Sequence, residues 1–155
     1  MKKAVLLVLV ALVAVSSAFA FEFRSIGLET GTGFYASVDM EIIDNLDVYA
    51  RVGTNGYFSF SVGAQYKVYD FEVQGTTIDI RPGAQMNFSF GDNVFDFSFL
   101  GTCQFSFETG NFGAFVRPLI GVDVYHWSYR YGGEKYSDTD TNFAIGIETG
   151  VYYRF

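Results

Sequence analysis

The stretch VFDFSFLGTCQFSF, residues 94–107, alternates large apolar side chains with small or polar ones over most of its length. Successive side chains of an extended strand point to opposite faces, so a period of two predicts a β-strand with one apolar and one polar face. Phenylalanine dominates the apolar face, and that face carries no charge. The stretch therefore predicts a strand that separates two very different environments.

The same alternation recurs on both sides of this stretch, from Phe21 to the C-terminus, and no helical period is convincing anywhere in that range. Seven breaks rich in Gly, Asn and Asp interrupt the alternation, the last and longest running from Gly132 to Asp140. They delimit eight strands. We place these near residues 24–31, 34–43, 46–53, 57–69, 76–90, 94–107, 112–131 and 141–155.

The polar face of these strands combines many Gly and Ser residues with charged ones. An eight-stranded barrel has room inside only for side chains or one small ligand, which suits the polar face and not the Phe-rich one. We therefore predict an eight-stranded antiparallel up-and-down transmembrane β-barrel with the apolar face toward lipid. A soluble lipocalin-like carrier, with the apolar face inward, is the alternative. Inside the barrel we expect a lumen charge network of Glu29, Asp39, Glu41, Arg51, Asp79, Arg81, Arg117, Asp123 and Glu148.

Three features interrupt the regular pattern. Pro82 and Pro118 lie in mid-strand, where each removes a hydrogen-bond donor, so we expect a bulge at both. Beyond Tyr125 the aromatic residues change face, which predicts a phase slip. The strand at 112–131 is long enough to project into the medium. Its outer end predicts an extracellular rim, an aromatic girdle or a recognition surface, formed by Tyr125, His126, Trp127, Tyr129 and Tyr131.

The first 20 residues have the organisation of a cleaved signal peptide: Lys2 and Lys3, an apolar run from Ala4 to Val15, and a small-x-small site at Ala18 to Ala20. We therefore divide the chain into a signal peptide, 1–20, and a barrel, 21–155. The barrel retains 8 basic and 17 acidic residues, a formal net charge of −9, which argues against nucleic acid as a partner. A single cysteine, Cys103, excludes a disulfide framework.

The last ten residues, GIETGVYYRF, end in an aromatic residue, with Val151 and Tyr153 on the same face as Phe155. This segment resembles the assembly signal of outer-membrane β-barrels, and the chain as a whole resembles the small eight-stranded OmpA/OmpX-type barrels. The resemblance implies delivery to the barrel-assembly machinery, a multi-pass position in the outer membrane, contact with its lipid and a monomeric barrel. It implies no peptidoglycan-binding domain, since the chain stops at the barrel, and it leaves any external ligand open.

One motif could carry chemistry. In His126-Trp127-Ser128 the histidine and the serine share a face, and Glu134 or Asp140 could complete a catalytic triad. The arrangement is similar to outer-membrane lipid A deacylases of the PagL type, but the Asn-Ala that follows the serine in that family is Tyr129-Arg130 here. We therefore favour a structural or surface-interaction protein with a closed lumen and no catalysis over an esterase. One His and one Cys give no usual metal cluster, and we expect no cofactor.

Overall fold

Nine β-strands form the fold in a computed structural model that describes residues 22–132 and 134–155. Each pairs antiparallel with its neighbours, which confirms the prediction of an all-β chain. No helix in the described residues is long and apolar enough to cross a membrane. The strands are β1 Glu22–Thr30, β2 Phe34–Ile43, β3 Leu46–Thr54, β4 Phe58–Tyr66, β5 Tyr69–Val73, β6 Thr76–Phe90, β7 Val94–Thr109, β8 Phe112–Tyr131 and β9 Glu134–Arg154.

Eight of these strands close into a barrel, as predicted. β1 pairs with β9, β4 pairs with β6, and the other neighbours pair in chain order. β5 continues the path of β4 and forms a hairpin with the first residues of β6. A row of paired residues that starts at Tyr152 on β9 passes around all eight strands and returns to β9 at Asn142, ten positions away. This stagger requires strongly tilted strands, typically at about 35–45° to the barrel axis.

The bulge expected at Pro82 is confirmed. Gln65 pairs with Gly83 and Tyr69 pairs with Ile80, so four steps on β4 and β5 face three steps on β6. The extra residue separates β4 from β5 beside the proline, which has no N–H to donate. A further bulge, between Phe23 and Ser25 of β1, was not expected.

The bulge expected at Pro118 is wrong. β8 keeps one register with β9 throughout, with Pro118 opposite Ile147. On the other side, the pairing with β7 is interrupted opposite Pro118 and resumes in the same register, with Thr102 opposite Leu119 and Phe105 opposite Val116. The missing donor is therefore accommodated by a gap on one side of the strand rather than by an extra residue.

The phase slip expected after Tyr125 is also wrong, because Phe112 to Tyr131 pair with Tyr153 to Glu134 without a break. Residues 134–140 of the loop predicted from Gly132 to Asp140 instead form the first part of β9, in a long β8–β9 hairpin. Alternation of apolar residues marks a strand only where one face meets an apolar environment. The hairpin projects beyond the other strands, so this part of β9 is held by its hydrogen bonds to β8 and needs no apolar alternation.

Candidate functional site: the lumen clusters and the outer rim

The barrel has the reverse polarity of a soluble protein. Its most buried residues include charged ones, with Arg117 and Glu148 each 1% exposed. On the outside, Phe143 is 70% exposed and Ile145 is 76% exposed. Burying a charge costs free energy unless the charge is paired. The inner charges therefore need partners inside the barrel.

Two arginines and two glutamates form the central cluster, which crosses the middle of the lumen. Arg51 donates hydrogen bonds to Glu29 at 3.0 Å and to Glu148 at 2.7 Å. Arg117 donates to the same two carboxylates, at 3.1 and 3.2 Å. Each carboxylate therefore contacts both guanidinium groups, and the cluster joins β1, β3, β8 and β9.

Aromatic rings enclose the central cluster, which corrects the expectation of an inner face built only from small and polar residues. The Arg51 guanidinium lies 4.5 Å from the centroid of the Tyr35 ring. That of Arg117 lies between Tyr49, at 4.6 Å, and Phe115, at 4.5 Å. These contacts add cation–π attraction to the ion pairs. The glycines opposite make room for the rings: a Cβ at Gly63 would collide with Tyr49, one at Gly150 with Phe115, and one at Gly113 with Tyr152.

A second group, the lower cluster, lies nearer the chain termini and joins Arg24, Asp47, Asp79 and Arg81. Arg81 pairs with Asp47 and, at 2.6 Å, with Asp79. Arg24 pairs with Asp47 at 2.7 Å. The sequence reading missed Arg24 because strict alternation assigns it to the outer face. The bulge between Phe23 and Ser25 turns it inward, and no signal in the sequence marks that bulge.

Three residues of the predicted lumen charge network, Asp39, Glu41 and Asp123, form their hydrogen bonds outside the two clusters. Asp39 accepts a hydrogen bond from Ser25 at 2.5 Å. Glu41 accepts one from the Asn45 backbone at 3.1 Å and lies 3.7 Å from Arg24. Asp123, near the outer end, accepts one from Ser98 at 2.6 Å. The predicted single network is thus divided, and Asp123 belongs to a different part of the lumen.

Two further ion pairs lie at the end of the barrel that carries the termini. Lys67 donates to Asp70 at 2.8 Å beside β5. This hydrogen bond and the ammonium charge hold the pKa of Asp70 below its usual value. Arg154 pairs with Glu108 at 2.6 Å. Both pairs lie outside the clusters that cross the lumen.

The C-terminal residues close the barrel. Val151 and Tyr153 face outward on β9, and the backbone N–H of Phe155 donates to the Arg24 carbonyl at 3.0 Å. The Tyr153 ring contacts Phe112 edge-on at 5.2 Å and Phe155 at 5.7 Å. The three residues of the predicted assembly signal thus share one outer surface at the β1–β9 seam.

The outer rim differs from an outward-facing girdle. Since β8 has no phase slip, Tyr125, Trp127 and Tyr129 share the phase of Asp123 and face the barrel side of the hairpin. Trp127 stacks on Tyr129 at 5.5 Å, and Tyr129 stacks on Tyr136 at 5.2 Å. Tyr131 pairs at the hairpin tip with Glu134.

The candidate catalytic residues are not brought together. His126 shares a hydrogen bond of 2.8 Å with Thr139 through Nδ1. Glu134 and Asp140 pair with Tyr131 and Tyr125, on the opposite face of the hairpin from His126 and Ser128. Neither carboxylate can therefore orient the histidine in this arrangement. Within the described residues, no group of three acidic, histidine or cysteine side chains could hold a metal ion.

Among the described residues, a cavity lies inside the barrel on each side of the central cluster. The inner one, among residues such as Arg24, Asp47 and Arg81, has a volume of about 20 Å³. The outer one, which we call the outer cavity, has a volume of about 380 Å³. A single water needs about 10–15 Å³ on this measure, so the inner cavity has room for little more than one.

Comparison with known proteins adds little to this description. No family model matches the chain, and no curated protein matches it. Two solved structures are similar in outline. The KdgM porin in complex with disordered oligogalacturonate has 12% identity and a TM-score of 0.30, covering 86% of this chain and 99% of the porin. The KdgM porin alone has 11% identity and the same TM-score and coverage. Since a likeness this weak carries no argument, the class of the protein, a closed eight-stranded antiparallel β-barrel, rests on its own strand pairing.

Proposed function

We propose that this protein is a monomeric, multi-pass barrel of the outer membrane, similar to the small OmpA/OmpX-type barrels. The observation that carries the proposal is the reversed polarity: charges are buried and paired inside, while large apolar side chains are exposed outside. Phe99, Ile120 and Val122, from the middle of β7 and β8, are each about half exposed on this outer surface. Water would not favour such a surface, whereas lipid would. A soluble carrier would need the opposite arrangement.

We further propose that the lumen is closed and that the protein has a structural or surface-interaction role without catalysis. The central cluster and its aromatic rings occupy the narrow lumen of an eight-stranded barrel, and this supports closure. The outer rim, with its stacked Trp127, Tyr129 and Tyr136, offers an aromatic surface for an external ligand. No contact among the described residues favours the esterase alternative.

The proposal includes a route to the membrane. Residues 1–20 would direct secretion and be cleaved; they lie outside the described residues. Val151, Tyr153 and Phe155 would then present the last strand to the barrel-assembly machinery. Their shared outer surface beside the β1–β9 seam supports this role, because it leaves these side chains exposed on the outside of the barrel.

Fractionation of expressing cells and a gel test the membrane assignment. We expect the protein in the outer-membrane fraction and released only by detergent. In SDS without heating it should remain folded, because its backbone hydrogen bonds close on themselves, and it should migrate differently after boiling. A protein recovered from the periplasmic soluble fraction without detergent would contradict the proposal.

A further inference from the structure

The outer part of β9 has an unpaired edge. β1 pairs with β9 only from Thr149 toward the C-terminus, whereas β8 pairs with β9 along nearly its whole length. From Glu134 to Glu148, β9 therefore has one neighbour among the described strands instead of two. This stretch contains no proline and no bulge, two of the devices that keep an edge strand from pairing with another chain. The edge is thus open to a further strand.

The direction of the backbone groups identifies the residues that form this open edge. The N–H of Arg154 donates toward the β8 side, and that of Phe155 donates toward β1. Successive residues of an antiparallel strand alternate in this way. The odd-numbered residues of β9 therefore direct their N–H and C=O groups to the open edge, among them Ser137, Thr139 and Thr141.

The part of the edge that faces the medium lies above the apolar surface. Phe143 is 70% exposed and Ile145 is 76% exposed on the outside of β9, where we propose lipid. Beyond them, the N–H of Thr139 donates to the side chain of Asp138 at 2.8 Å. In the middle of a sheet this N–H would donate to the next strand. Residues 137–141 therefore offer an accessible edge whose backbone groups lack a strand partner among the described residues.

The side chains beside the open edge select the charge of a partner. Asp138 and Asp140 are exposed on the barrel side of β9, and Glu134 shares their phase. The stacked rings of Trp127 and Tyr129 lie on the same face of the adjoining β8. No base occurs at the positions of this face, which are 125, 127 and 129 of β8 and 134, 136, 138, 140 and 142 of β9.

This combination favours a basic partner strand. Opposite charges on neighbouring strands attract each other, and an aromatic face attracts the same cation. A partner with lysine or arginine at every second position would bring these charges to the acidic face. The β9 edge of a second copy would instead bring further acids to it.

We propose that the open edge of β9 binds an extended, basic segment of an external protein, which adds to the sheet as a further strand. Its backbone pairs with Ser137, Thr139 and Thr141, and its alternate basic side chains lie over Asp138 and Asp140. The Thr139 N–H then donates to the added strand, which frees the Asp138 carboxylate for a basic side chain. This partner rests on the proposed surface-interaction role and gives it a chemical class.

Peptide binding to the full, folded barrel in neutral maltoside micelles tests the proposal. The probe is a synthetic peptide of four Lys-Thr repeats, added to isotope-labelled protein and followed by NMR. We expect saturable shifts of the amide signals of Ser137, Thr139 and Thr141, with Gly75 at the opposite end as reference. Hydrogen exchange at Ser137 and Thr141 should slow in the complex, because their N–H groups then donate to a strand.

Two control peptides separate charge from strand pairing. Four Glu-Thr repeats keep the alternation but reverse the charge. Four Lys-Pro repeats keep the charge but lack the N–H groups that would face β9. Both should bind at least about ten-fold more weakly than the Lys-Thr peptide. Equal binding of either control peptide would overturn the proposal.

Variants test the same two features on the protein. D138N/D140N should weaken binding of the Lys-Thr peptide about ten-fold or more. D44N/E72Q, which removes two exposed acids at the opposite end of the barrel, should leave it unchanged. Thr141→Pro removes an N–H that faces the open edge and no hydrogen bond to β8, so it should also weaken binding.

Unchanged binding to D138N/D140N would overturn the proposal. Gel mobility before and after boiling checks that every variant is folded. A folded barrel in the outer membrane that does not bind the Lys-Thr peptide rejects this inference alone. A protein absent from the outer membrane rejects the proposed function instead.

Discussion

At the scale of single residues, Arg117 has more interactions than any other inner charge that the structure describes. It bonds to Glu29, Glu148 and Gln104 and lies between two aromatic rings. Arg117→Ala leaves two buried carboxylates to share Arg51 alone. Because breaking a buried pair costs about 3–5 kcal/mol, the free energy of unfolding should fall by that amount. Urea unfolding of the detergent-solubilised barrel measures it.

Val122→Ala is the matched control, since Val122 lies on the outer surface of the same strand and is 45% exposed. It removes apolar contact without unpairing a charge, so its effect should be much smaller. Equal losses of stability in the two variants would mean that the central cluster contributes no more than ordinary packing, and would contradict the assignment.

The sequence predicted which residues turn inward better than it predicted their partners. Alternation placed Arg51, Arg81 and Arg117 on the inner face, but Arg51 contacts Glu148, which is 97 positions away in the chain. Such a partner depends on the stagger of the barrel, and that stagger is a property of all eight strands together. Arg24 was missed for a local reason, because one bulge reverses the phase of alternation.

The strands themselves were predictable at the scale of elements, because turn residues and a period of two mark them directly. The outer ends of the strands could not be predicted in this way. Residues 134–140 lack apolar alternation, and this lack predicts a loop. They form a strand because β8 offers an unbroken row of hydrogen-bond partners, which the local sequence of β9 does not reveal.

The C-terminal strand carries a prediction about assembly. Phe155→Ser removes the terminal aromatic residue of the proposed assembly signal while leaving the signal peptide intact. We expect normal secretion but little folded protein in the outer membrane, measured by fractionation and by gel mobility with and without heating. Phe34→Ser makes the same change at another exposed aromatic residue and should assemble normally. Wild-type levels of folded Phe155→Ser would reject the signal.

At the scale of the whole molecule, the network that we expect to stabilise the barrel also bears on whether ions can pass through the lumen. The central cluster connects β1, β3, β8 and β9, and Arg51 reaches Asn87 on β6 at 3.2 Å. Arg117 reaches Gln104 on β7 at 3.0 Å, and Tyr49 donates to Gln85 at 2.7 Å. Contacts from six strands therefore meet at one level, and the inner cavity below that level holds about 20 Å³.

Planar-bilayer recording of the purified, folded barrel tests this closure. Under the proposed closure, an ion has to displace paired guanidinium and carboxylate groups at this level, and breaking such pairs costs several kcal/mol. Wild-type protein should therefore give no stable conductance steps. The double change R51A/R117A should raise the conductance above the wild type if it folds, because it removes both guanidiniums, whereas Val122→Ala should not. Large, stable, ohmic steps from wild-type monomer would show an open lumen and contradict the proposed closure, because side chains from six strands packed at one level would leave no path for ions.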